Sequence, residues 1–202
     1  MPLVVNKEEE KAKILLAFEQ CLTEKPIFSV SLRDIAAKAH MTHPKLLNYF
    51  KNKDELVLAY CDYIKNFMSE HCRMWFVEHR PEDYPDKRAY MNAFMQYVAD
   101  GKTGEQRPLA TVQTYVLAKY NADVERMVKE EFLAWKALMK ECLTGVFGDQ
   151  ATDADSEYMM IYIAGVFVCR YNGVLSGKIN SNLMSASGLF QNSMDRCIFD
   201  KK

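Results

Sequence analysis

Between Ser31 and Lys53 the chain gathers residues that hold anions and read flat hydrogen-bonding edges: Ser31, Arg33, Thr42, His43, Lys45, Asn48, Tyr49 and Lys53. Hydroxyl, guanidinium and ammonium groups position a polyanion without reading it. A lysine such as Lys45 suits the guanine edge in the major groove, and an asparagine such as Asn48 suits adenine. From Lys25 to Lys53 six basic residues stand against one acid, Asp34, for a net of +5. Residues 1–24 carry −2 and residues 54–202 carry −4, within an overall charge of −1. A small basic island beside a mildly acidic body suits a phosphate-binding head on a soluble carrier.

The elements that must position those groups are legible from caps and breaks. Asn6 with Glu9 resembles a capping arrangement, and Ile14, Leu15, Phe18, Cys21 and Leu22 then mark one helical face. Pro26 ends that helix, because proline disfavours helical geometry in the residue before it. Ser31 and Asp34 open a second helix with Ile35, Ala36 and Ala39 inward, and His40-Met41 breaks it. Thr42 caps a third helix with Pro44 in its first turn, where a missing N–H costs nothing. Leu46, Tyr49 and Phe50 then point to the core, leaving His43, Pro44, Lys45, Leu47 and Asn48 outward. Two short helices joined by a tight break, with a polar outer face on the second, spell a helix-turn-helix.

Asn52 with Glu55 opens a fourth helix reaching about Arg80, and Pro81 and Pro85 mark a loop. Helical patterns follow at about 86–100, 105–119 and 121–147, with Gly148 as a stop. A further helix opens at Thr152 to Asp155, is apolar on nearly every side through Cys169, and a last one spans about 182–199. No segment alternates in strand fashion. The expected fold is all-α with about nine helices: a helix-turn-helix DNA-binding domain at 1–53 and an α-helical effector-binding and dimerisation domain at 54–202. A helix apolar all round needs cover on every side. A two-subunit four-helix bundle would supply it through Tyr158, Ile161, Phe167, Leu183, Phe190, Met194 and Cys197.

Three motifs carry the family likeness: Ile14-Leu15-x-Ala17, Ser31-x-x-x-Ile35-Ala36 and Tyr49-Phe50-x-x-Lys53-x-x-Leu56. Over about residues 12–58 the chain resembles the TetR (tetracycline-repressor-like) family of transcriptional regulators. That resemblance implies a homodimer that represses from a near-palindromic double-stranded DNA operator and is released by a small effector. It places phosphate contacts at Ser31, Arg33, Thr42, Tyr49 and Lys53. The groove face would be His43, Pro44, Lys45, Leu47 and Asn48. It also implies an effector pocket, for which the aromatic and sulfur-rich candidates are Tyr63, Phe67, Trp75, Phe94, Tyr97, Tyr115, Trp135, Met139 and Tyr162. Such walls suit an apolar or aromatic molecule. The same residues could equally fill a core, which would leave a DNA-associated interaction module without an effector. Two departures stand out. Pro26, His40 and Pro44 occupy places where the family often has glycine, and the first 100 residues contain none. Leu47 replaces a common phosphate-binding tyrosine, and could touch a thymine methyl instead.

Other chemistry has little to stand on. Gly101-Lys102-Thr103 lacks the upstream glycine and strand of a phosphate loop. Ser176-Gly177 lacks the flanks of a nucleophile elbow. His71, Cys72 and His79 have no further ligand nearby in sequence, so no metal, cofactor or enzymatic activity is expected. The six cysteines are scattered and form no C-x-x-C pair, the amino terminus is no signal peptide, and the longest apolar run is too short for a bilayer. A cytoplasmic protein without membrane contact is the expectation.

Overall fold

The computed structural model describes residues 6–99 and 107–174. Among these it contains eight α-helices, three short 3-10 turns and no strand. The helices are α1 (Lys7–Glu24), α2 (Leu32–Lys38), α3 (His43–Leu47), α4 (Lys53–Glu78), α5 (Lys87–Ala99), α6 (Arg107–Leu117), α7 (Ala122–Phe147) and α8 (Asp153–Tyr171). The expected last helix, with Leu183, Phe190, Met194 and Cys197, lies outside the described residues.

Local chemistry accounts for the boundaries. Asn6 caps α1, accepting from the Glu8 amide and donating to Glu9 Oε1 at 3.0 Å. Ser31 and Asp34 form a reciprocal capping box on α2, and Thr152 and Asp155 do the same on α8. Thr42 caps α3 with Pro44 in its first turn. His40 takes φ 54°, the left-handed conformation that the break between α2 and α3 demands. Histidine tolerates that region better than β-branched residues do, so no glycine is required here. Gly148, at φ 62°, follows the end of α7.

The chain divides into two compact units, Met1–Ile64 with Gln106–Glu131, and Lys65–Glu105 with Phe132–Lys202. The helix-turn-helix expected over residues 1–53 lies within the first unit. Helix α4 starts at Lys53 and runs past the division at Ile64, and α6 packs against α1, so residues from the middle of the chain join the first unit. Sequence periodicity cannot reveal which helix shares a core with which.

In the first unit Ile14, Phe18, Leu22, Ile27, Ile35, Leu46, Phe50, Leu56 and Tyr60 are buried together. Phe18 and Tyr60 meet edge to face at 5.3 Å, and Tyr60 Oη donates to Glu19 at 3.1 Å. In the second unit α5 packs on α8, and Trp75 sits among Tyr90, Phe94 and Tyr97 with ring centroids 5.0, 5.2 and 6.4 Å away. His79 stacks on Trp75 at 4.4 Å. No helix among the described residues is long and apolar enough to cross a membrane.

Candidate nucleic-acid interface

The recognition segment is brief. Helix α3 has five residues, too few to be stable by propensity alone. Its position is set by Leu46, which is 0% exposed, and by buried Phe50 in the turn that follows. Pro44, Lys45, Leu47 and Asn48 are exposed and His43 is half-buried. Tyr49 differs from expectation. It lies past the end of α3 and is half-exposed, because the segment turns at Asn48 and directs Phe50 inward in its place.

Three lysines of this surface, Lys45, Lys25 and Lys38, are held by acids of the same unit. Lys45 Nζ lies 2.6 Å from Glu10 Oε2, and Lys13 meets the other oxygen of that carboxylate at 3.0 Å. The Lys45 contact, then that of Lys13, holds the Glu10 carboxyl below its ordinary pKa, and Glu10 in turn raises that of Lys45. Lys25 pairs with Asp34 at 2.7 Å, and Lys38 with Glu24 at 2.6 Å. Lys53 opens α4. Its ammonium donates to the Ile27 carbonyl at 2.5 Å, and burial lowers its pKa. Arg33 stands in the first turn of α2 beside Ser31, whose hydroxyl is taken up by the Asp34 capping box.

That capping box carries a pH dependence. Lys25, then Ser31, holds the Asp34 carboxyl well below the usual carboxylate range. A depressed folded-state pKa contributes stability that is full above the unfolded value of about 3.9 and is lost as pH falls through the folded one. Thermal melts followed by circular dichroism should therefore show the wild type losing stability below about pH 4, and Asp34→Asn losing less over the same range.

Of the expected effector residues, Trp75, Phe94 and Tyr97 gather in the second unit, with ring centroids 5.2 and 6.4 Å from Trp75. Tyr63 and Tyr115 belong to the first unit, where Tyr115 Oη lies 3.4 Å from Glu131, and burial, then that carboxylate, raises the phenol pKa well above 10.0. In the second unit Trp75 and Phe94 are core residues, Tyr97 and Tyr162 are half-buried, and Phe67 stacks on His71 at 3.8 Å. Only Trp135 and Met139 of the nine line the apolar cavity that Met68, Cys72, Val98, Leu138, Met160 and Ile163 complete. Its volume is about 20 Å³, room for a single water. The Trp135 Nε1–H is buried without an acceptor. Burial pushes the Cys61, Cys72 and Cys142 thiols up to about 12, which leaves them inert at neutral pH. His71 and His79 each give their Nδ1 proton to the carbonyl four residues back, and no group of three metal-ligating side chains occurs among the described residues.

Of the expected interface residues, Ile161 is 71% exposed and Tyr158 half-buried on α8. Phe167 must be reassigned. It is 2% exposed within a single chain and belongs to the core of the second unit. A helix apolar on every side gives periodicity no means of separating its inner stripe from its outer one.

Residues 14–60 match the family model of bacterial regulatory proteins of the tetR family. That stretch is similar to the head of the TetR family. DNA-binding transcriptional regulation is what that family does, and the matched segment runs from within α1 to the early turns of α4, taking in α2 and α3. The likeness of fold runs well beyond that stretch. A protein of Pseudomonas aeruginosa PAO1 assigned as a transcriptional regulator superposes with TM-score 0.72 at 16% identity, covering 96% of both chains. Salmonella enterica GusR gives 0.66 at 16% identity, over 94% of this chain and 95% of its own. NalD, the secondary repressor of the MexAB-OprM multidrug efflux pump in Pseudomonas aeruginosa, gives 0.61 at 15%, over 98% and 100%. Likeness at such identities is one of fold. No curated protein matches the sequence.

The sequence missed the acidic partners of the basic face. Glu10 lies in the first turn of α1, and no local spacing ties it to Lys45. It also missed Gln113, a buried amide in α6 whose contacts lie about 90 residues away.

Proposed function

We propose that the chain is a homodimeric transcriptional repressor that binds a near-palindromic operator and is released by a small apolar or aromatic molecule. The observation that carries this reading is the capped, core-anchored α3 presenting Pro44, Lys45, Leu47 and Asn48 outward within a TetR-family segment. Phosphate contacts from Ser31, Arg33, Thr42, Tyr49 and Lys53 would fix register, and the outward face would read bases. Selection from a random duplex library, followed by gel shift, tests it. A salt-sensitive complex with one palindromic sequence is expected. Equal retention of all sequences overturns the reading.

Dimerisation is assigned to the outer stripe of α8, where Glu157, Ile161, Gly165 and Val168 are exposed at helical spacing. Ile161→Glu should convert a dimer to a monomer in light scattering with its melting temperature kept. Operator affinity should fall with it, since each half-site is then bound alone. A variant that remains dimeric would remove α8 from the interface.

The interior cavity of about 20 Å³ favours a second reading, an interaction module without an effector. The repressor reading requires Met68, Met139 and Met160 to change rotamer and open it, which their unbranched side chains permit. The effector then acts only through its preference for the opened state. Its polar anchor would be the unpaired Trp135 Nε1–H.

A further inference from the structure

Helix α1 ends because residue 26 is a proline, and that proline leaves a defect. The Leu22 carbonyl would normally accept from the N–H four residues on, and Pro26 has none. Gln113 of α6 supplies the missing donor. Its Nε2 donates to the Leu22 carbonyl and, at 3.3 Å, to the Lys25 carbonyl. Its Oε1 accepts the Ile27 N–H at 2.6 Å. The amide is buried, and this network fixes its orientation, since the reverse would set N–H against N–H. The opposite face of the same residue is used as well: the Ile27 carbonyl accepts from the Lys53 ammonium. One residue, Ile27, thus joins a side chain of α6 to the first residue of α4, through its N–H and, across its Cα, the carbonyl of the next peptide. An ammonium has three donors, and one spent on Ile27 leaves two for phosphate oxygens.

We propose that Gln113 is a positioning residue for DNA binding: from α6 it holds the backbone of Ile27 by its N–H, and the carbonyl of the same residue aims the Lys53 ammonium at the DNA backbone. This inference rests on the reading of Lys53 as a phosphate contact. Lys53 reaches DNA only in the orientation that Ile27 imposes, so any displacement of α6 is felt at the phosphate.

Fluorescence anisotropy on the selected duplex, and on a duplex of arbitrary sequence, compares the wild type with Gln113→Met, Lys53→Met and the double variant. Gln113→Met should weaken both duplexes by about tenfold and lower the slope of log affinity against log salt by about one. Lys53→Met should do the same, and the double variant should be no weaker than Lys53→Met alone. Full additivity, or a folded Gln113→Met with wild-type affinity and slope, overturns the proposal. If Gln113→Met loses its helical circular dichroism, Gln113→Asn withdraws the amide by one methylene, keeps it polar and carries the same expectations. If the wild type itself shows no salt-sensitive binding to either duplex, the DNA-binding reading fails first. Selective wild-type binding with an additive cycle leaves that reading standing and removes Gln113 alone.

Discussion

Lys45→Ala should weaken the selected operator by about tenfold to a hundredfold and blur its preference at one base pair, whereas Glu10→Gln should tighten it. The opposite signs follow from one contact. Lys45 is the outward lysine of α3, and its ammonium is held 2.6 Å from a Glu10 carboxylate that Lys13 also meets. To reach a guanine edge, Lys45 must leave that carboxylate, so the ion pair offsets part of what the base contact contributes. Glutamine keeps the size and polarity of Glu10 and weakens its hold on the lysine. Affinities measured against duplexes varied one base pair at a time separate the two effects. Glu10→Gln weakening the operator as severely as Lys45→Ala would mean that Glu10 braces the lysine for DNA rather than restraining it.

Two adjacent leucines should behave as opposites. Leu46 is fully buried, whereas Leu47 is 36% exposed on the same five-residue helix. Leu46→Ala removes the contact that holds α3 against the first unit, and should cost about 2 to 5 kcal/mol. A helix this short has no propensity to fall back on, so its DNA-reading face disperses with its anchor. Urea unfolding should show the midpoint falling sharply for Leu46→Ala. Leu47→Ala should leave the midpoint within about 0.5 kcal/mol of the wild type and instead lower the preference for thymine wherever a methyl met the leucine. A stable Leu46→Ala would mean that Phe50 and the Thr42 cap suffice to hold the helix.

The helix-turn-helix was legible because every element of it is local. Ser31 with Asp34, Thr42 with Pro44, and Asn52 with Glu55 each act within a single helical turn, and all three starts formed as their spacing implied. His40 was legible for the same reason, since a break between two capped helices leaves few backbone conformations open. The outer body was less so. Trp75 and Phe94 are aromatic at helical spacing whether they line a cavity or fill a core, and they fill one. Phe167 and Ile161 stand on one apolar helix, and only packing decided that the first is inside and the second outside.

The sequence by itself determined the helices, their caps, the all-α class and the outward face of α3, because these depend on residues three or four positions apart. The tertiary structure alone decided which groups of that face are free. Lys45 is held by Glu10, 35 positions earlier, and Lys53 by the Ile27 carbonyl. Gln113, from far along the chain, replaces the hydrogen bond that Pro26 removed from the end of α1. Ion pairs and amide contacts form between whatever groups the fold brings within about 3 Å, and separation along the chain places no limit on that distance.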